Sequence, residues 1–159
     1  MEYPQEVPIR CFAVSAVLIR EDSGFSQVLM LRRAGGALDE EWCQVAGKIN
    51  TGETAWQAAL REIREETGLV PERFYTADIC EQFYEAGLEC ISLVPVFVGF
   101  IDPMRVVVLD DEHSEYRWMT FSEAQAVVPA PGQRAMIEHV RQEFVARRPT
   151  EWLRIETTA

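Results

Sequence analysis

The chain has 159 residues, enough for one domain with a real core, and its 48% hydrophobic and 26% charged content excludes a disordered polymer. A net charge of -11 excludes a nucleic-acid or anionic-membrane surface, both of which need clustered Lys and Arg, and requires a cation as go-between for any polyanionic substrate. Cys11, Cys43, Cys80 and Cys90 are widely spaced, with no C-x-x-C pair, and read as buried reduced thiols.

The first ten residues, MEYPQEVPIR, start acidic and contain no apolar targeting segment, and no run reaches membrane-spanning length, so a cytoplasmic chain is expected. Cys11 to Glu21 is β-branched and apolar, Asp22 to Gly24 is turn chemistry, and Ser26 to Arg33 is a second strand, which together predict a β-hairpin. Ala34 to Glu41 reads as a loop, Trp42 to Ile49 as one short strand, and Asn50 to Gly52 as a turn. A helix follows, opened by a capping box of Thr54 and Gln57 and closed by a left-handed Gly68, with Leu69 folding back on Ile63.

Arg73 to Ala86 and Leu88 to Ile101 read as two strands about Gly87, and Pro95 calls for an edge or a bulge in the second. Arg105 to Leu109 and Glu115 to Met119 are expected as later strands, and Ser122 to Val128 as a short helix broken by Pro129 to Gly132. Gln133 to Arg148 is an amphipathic helix whose Ala135, Ile137, Val140, Phe144 and Val145 are expected to face a core. The tail, Pro149 to Ala159, offers Trp152 and Leu153 for docking on the domain or on a partner.

The helix from Thr54 to Gly68 raises a chemical question. At about 100° per residue, Glu62, Glu65 and Glu66 share one face, opposite Trp56, Leu60, Ile63 and Thr67. They sit in the last two turns, where the helix dipole is negative and like charges four apart repel, at a cost of a few tenths to about 1 kcal/mol for each effect. Arg61 pairs with Glu65 in the weaker orientation and neutralises one charge. A solvated acidic surface is the plain reading. Against it, Ala55, Ala58 and Ala59 on the acidic side leave expected room for a ligand, and the loop Gly47 to Glu53 brings glycine backbone close. Oxygen ligands without nitrogen or sulfur suit Mg²⁺ or Mn²⁺.

The segment Gly47, Glu53, Arg61, Glu62, Ile63, Glu65, Glu66, Gly68 and Leu69 resembles the signature of the Nudix hydrolases at every specified position. The resemblance implies an α/β fold, a mixed β-sheet sandwiched between α-helices, with a single domain over residues 1–148 and a tail over 149–159. It implies that Glu62, Glu65 and Glu66 bind the metal or its water, joined by the Gly47 carbonyl, that Arg61 orients the glutamates, and that Glu53 braces the loop. One departure is Ala46-Gly47-Lys48 where many relatives have Pro-Gly-Gly. Lys48 is a candidate phosphate contact, with a solvated lysine as the equal alternative, and Arg32 and Arg33 are candidates for distal phosphates.

A diphosphate linkage repels nucleophiles, so such a site must neutralise charge, supply hydroxide and hold a carboxylate that accepts a proton. Glu62 is the first candidate base, and Glu112 or Glu115 the second. Glu112, His113, Tyr116 and Trp118 are similar to the E-H-x-x-Y-x-W stretch of two Nudix branches, the dihydroneopterin triphosphate or dATP pyrophosphatases and the diadenosine tetraphosphate hydrolases. That likeness makes Glu112 a further metal ligand.

A proline marking the ADP-ribose hydrolases is absent, with Glu85 in its place, and Tyr84 lies one residue short of the tyrosine of the dinucleoside polyphosphate hydrolases. Expected, then, is a Mg²⁺-dependent hydrolase of a small phosphorylated substrate. It would cleave a nucleoside triphosphate or pteridine triphosphate to monophosphate and pyrophosphate, as monomer or homodimer, without nucleic-acid or membrane partners. Tyr84, Trp42 and Phe83 are candidate stacking residues. The alternatives are a dinucleoside polyphosphate hydrolase and, in another class, a nucleotide-sensing domain without turnover.

Overall fold

The computed structural model describes Met1 and residues 5–157. The first half is organised by a splayed hairpin. β2 (Ala13–Asp22) and β3 (Phe25–Arg33) join through Ser23 and Gly24, both at positive φ (53° and 81°), the geometry a two-residue hairpin turn needs to match strand twist. The arms pair only from Ile19 with Val28 to Asp22 with Phe25. Beyond that they separate, and the segment after the loop fills the fork: β4 (Trp42–Cys43) pairs with β3, and β5 (Val45–Lys48) pairs with β2. The single strand expected over Trp42 to Ile49 is therefore two, broken at Gln44, because one straight strand cannot follow two diverging edges.

On its other edge β2 runs parallel to β7 (Cys90–Phe100), which also carries β1 (Ile9–Arg10) in parallel and β6 (Arg73–Glu85) antiparallel. Pro95 falls at a bulge, where register shifts between Thr76 and Cys80 of β6, as a residue without a backbone N–H requires. β8 (His113–Met119) closes the sheet against β3. The result is an eight-stranded mixed sheet.

Alternation along β2 builds one core on each face. Val14, Ala16 and Leu18 point to α1 (Ala55–Thr67), with Leu31, Ile63 and Phe74; Val17 and Ile19 point to α2 (Phe121–Val127) and α3 (Pro131–Val140), with Tyr75, Ile137 and Phe144. Each such Leu, Ile or Phe taken out of water contributes about 1.5–3 kcal/mol. The expected α/β sandwich is the fold observed.

Several local expectations change. Arg105 to Leu109 forms no strand: Val107 is buried and the Val108 N–H donates to the Thr67 carbonyl (2.9 Å), so the segment spends its apolar alternation on covering the end of α1. The last helix begins at Pro131 and passes into a π-helical turn at Arg141–Val145. Met136 is buried and Ala135 exposed, the reverse of the periodicity reading. The tail docks through Leu153, which packs on the core, and through Ile155, whose N–H donates to the Phe74 carbonyl (2.8 Å). Trp152 stays 91% exposed. The tail's last two residues, Thr158 and Ala159, lie outside the described residues. Among those described, no helix is long and apolar enough to cross a membrane.

Candidate active site

Helix α1 begins and ends where its local chemistry places it. Thr54 Oγ1 accepts from the Gln57 N–H (3.2 Å), Gln57 Oε1 accepts from the Thr54 N–H (2.9 Å), and Gly68 at φ 71° returns its N–H to the Arg64 carbonyl (2.9 Å). Ala58 and Ala59 are buried against the sheet, so they let the helix approach the strands closely and do not open the expected space beside the carboxylates. Room for a ligand comes instead from the neighbouring cleft. It has a volume of about 510 Å³ and lies at the fork of the hairpin, walled by Phe12, Ala13, Arg33, Ala46, Gly47, Lys48, Glu62, Glu65, Asp110 and Glu112.

Arg61 ties the loop to the helix. Its Nε donates to Glu53 Oε1 (2.6 Å), Nη1 to Glu62 Oε1 (2.7 Å) and Glu65 Oε2 (3.1 Å), and Nη2 to the Lys48 carbonyl (2.8 Å) and Glu53 Oε2 (3.1 Å). One guanidinium thus serves three carboxylates, where helical spacing alone suggested one. Glu53 also accepts from the Asn50 N–H (2.9 Å), so it braces the turn before the helix. The hydrogen bond from Arg61, with that from Asn50, holds its carboxyl below the usual range.

Gly47 faces Glu62 across β5. A Cβ at position 47 would lie 2.1 Å from the Glu62 carboxyl carbon, so only glycine lets that carboxylate rest against the strand. Burial raises the Glu62 pKa despite Arg61. Glu65, one turn further along α1, is more open to solvent.

Glu66 is the anomaly. It is 3% exposed, it accepts from the Ala46 N–H, and its Oε2 has no hydrogen-bond partner. Burial, followed by the charges of Glu62, Asp110 and Glu112, pushes its pKa up to about 9. A second orphan has the opposite sign: the Nε–H of Arg33, on the cleft wall, is buried without an acceptor. Unsatisfied buried groups each cost about 1–3 kcal/mol, more when charged. An oxygen-rich acidic wall backed by an unpaired carboxylate fits a hard divalent cation, and the unpaired Arg33 Nε–H fits a phosphate oxygen. Among the described residues no three acidic, His or Cys side chains already stand about one point at coordinating distance; Glu62 is held by Arg61.

The other expected residues divide. Lys48 and Glu112 line the cleft, and the Glu112 loop is fastened by the Ala34 N–H donating to the Glu112 carbonyl (2.8 Å). Arg32 does not line it; it donates to the Glu40 carbonyl (3.1 Å) and pairs with Glu115 (3.5 Å), which also holds Arg117. Tyr84 is not in the wall either: it stands exposed near the tip of the β6–β7 hairpin, hydrogen-bonded to Glu89. Trp118 packs in the core beneath the Arg20 guanidinium (4.6 Å), and Trp42 packs on the opposite core. Asp110 belongs to the wall and was missed, because in the run Asp110-Asp111-Glu112 nothing in the sequence separates an inward carboxylate from a solvated one.

Comparison with known proteins bears on the family and the fold. The family model described as the NUDIX domain matches residues 10–142. A bis(5'-nucleosyl)-tetraphosphatase [asymmetrical] of Caenorhabditis elegans is 28% identical over 114 residues, 70% of this chain and 80% of that protein. Other curated relatives are matched over only 18–26% of their length. Among solved structures, a C. elegans Ap4A hydrolase binary complex superposes with a TM-score of 0.73 at 20% identity, over 85% of this chain and 98% of that one. The E. coli dihydroneopterin triphosphate pyrophosphohydrolase superposes with a TM-score of 0.67 at 24% identity, over 89% and 100%. At these identities the two superpositions speak for the fold.

Proposed function

The chain belongs to the Nudix family and is a hydrolase of pyrophosphate bonds, and we propose that it cleaves a nucleoside triphosphate or pteridine triphosphate, with Mg²⁺ or Mn²⁺, to monophosphate and pyrophosphate. The carrying observation is the pair of buried orphans, Arg33 Nε on the cleft wall and Glu66 Oε2 behind it, where Glu66 is held to Ala46 of that wall; they are complementary in charge to a cation–phosphate complex. Glu62, Glu65, Glu66 and Glu112 would hold the cation, together with the carbonyl of Gly47. When bound, it would neutralise phosphate charge and lower the pKa of a coordinated water. Arg61 and Glu53 keep the glutamates and the loop in place. Lys48 and Arg33 provide two cationic positions for further phosphates of a chain. Glu62, with its pKa raised, is the first candidate to accept the proton of the attacking water, and Glu112 the second.

Phe12 is the one aromatic side chain in the described cleft wall, which supports a substrate with a single ring system. A second reading, hydrolysis of a dinucleoside tetraphosphate, is favoured by the tetraphosphatase likeness over 80% of that protein's length. The test is release of phosphate and pyrophosphate from dATP, other nucleoside triphosphates, dihydroneopterin triphosphate, diadenosine tetraphosphate and ADP-ribose, with Mg²⁺ and with EDTA. Metal-dependent turnover concentrated on a triphosphate supports the first reading, and preference for diadenosine tetraphosphate the second. Binding without turnover of any compound would turn the assignment to a nucleotide sensor.

A further inference from the structure

We propose that Asp110 is a further acidic group of this cation centre and that His113 is the residue that positions it. The inference rests on the cation reading of the cleft. Asp110 stands on the cleft wall together with Glu62 and Glu112, on the segment that leads into β8. Its Oδ1 pairs with His113 Nδ1 at 2.8 Å, an engagement of one carboxylate oxygen that leaves the other for the cleft.

The His113 ring is buried, its side chain 3% exposed, and a defect in the sheet puts it there. β8 pairs with β3 in regular register from Met119 with Val28 to Glu115 with Arg32, and then shifts, so that His113 and not Ser114 falls opposite Arg33. A bulge of one residue re-aims a side chain, and bulges gather beside active sites for that reason. Without it the imidazole would exchange faces with Ser114, and Asp110 would lose its partner.

The independent sign that a ligand is expected here is Glu66, 3% exposed and with Oε2 unpaired. The charges of Asp110 and Glu112 both press on it. The acidic set is thereby drawn from two sides, helix α1 and the β8 approach, and the buried histidine fixes the second side as a hydrogen-bonded support fixes a metal-binding carboxylate.

The test is Mn²⁺ binding to the full chain, by calorimetry or by the electron paramagnetic resonance of free Mn²⁺, with no substrate present. Asp110→Asn and His113→Phe should each weaken binding at least about tenfold, and His113→Asn, whose amide N–H replaces Nδ1–H, should stay within about threefold of wild type. Thermal unfolding in EDTA verifies that each variant folds; should His113→Phe fail to fold, Asp110→Asn and His113→Asn carry the decision. Glu66→Gln is the reference. If it loses Mn²⁺ while Asp110→Asn binds as wild type does, the role of Asp110 is refuted and the centre stands. If Glu66→Gln also binds normally, the cation centre itself falls. Equal loss in folded His113→Phe and His113→Asn would overturn positioning by hydrogen bond.

Discussion

Glu66→Gln in the cation-free protein offers the sharpest check of the site's electrostatics. In the folded chain the Glu66 pKa is pushed from 4.5 up to about 9, by burial first and then by Glu62, Asp110 and Glu112. The folded state therefore holds a proton that the unfolded chain releases above pH 4.5. Stability from this group is fully present below that pH and is lost as pH rises toward 9, at about 1.4 kcal/mol per unit. Between pH 5 and 8 the loss is about 4 kcal/mol as a ceiling, a large part of the roughly 5–15 kcal/mol that holds a domain together.

Glutamine copies the protonated shape and cannot ionise, so Glu66→Gln should flatten this slope. Urea unfolding in EDTA at pH 5, 6, 7 and 8, wild type against variant, measures the difference, and the subtraction removes contributions that the two proteins share. Added Mg²⁺ should raise wild-type stability most at pH 8, by about 2.7 kcal/mol at a hundred times its dissociation constant, and the variant much less. Parallel stability curves in EDTA would refute the account, because Glu66 would then be ionised and satisfied by something the described contacts do not contain.

Other perturbations separate catalysis from folding. Gly47→Ala drives a Cβ into Glu62, which must swing away from both the strand and Arg61; it should cost about 1–3 kcal/mol in a thermal melt while lowering kcat/KM at least about tenfold. Arg61→Lys keeps the charge but cannot reach Glu53, Glu62, Glu65 and the Lys48 carbonyl together, so kcat should fall about 10–100-fold in a steady-state assay and full activity would show the fork geometry to be idle. Gly68→Ala forces a Cβ into a left-handed conformation at the end of α1, and should lower unfolding free energy by about 1–2 kcal/mol with kcat unchanged.

What the sequence made legible was local. Thr54, Gln57 and Gly68 mark the helix because capping is decided within a turn of chain, and the positive φ of Ser23 and Gly24 follows from turn chemistry. What it concealed was relational. Arg32 and Arg33 are neighbours of one type, yet one pairs with Glu115 and the other enters the cleft, because strand alternation and the β8 bulge assign their faces. The apolar alternation of Arg105 to Leu109 is real, but a strand needs a free edge and this segment finds the end of a helix. Ala58 and Ala59 are small because the sheet is close, a reason invisible without the sheet.

The glutamates themselves show how the two kinds of information meet. Acidic residues at a helix C-terminus oppose the dipole, and the sequence alone offered Arg61 as compensation for one of them. The structure gives Arg61 both Glu62 and Glu65, besides Glu53 of the preceding loop, so part of the conflict is answered within the chain. Glu66 is left out of that arrangement, buried, partnered only by the Ala46 N–H and pressed by three other acids. A charge so placed is stable in the ionised form only when something positive arrives from outside the chain. Below about pH 9 the proton that Glu66 holds fills that role, so a cation must displace it, and cation affinity at the cleft should rise as pH approaches 9.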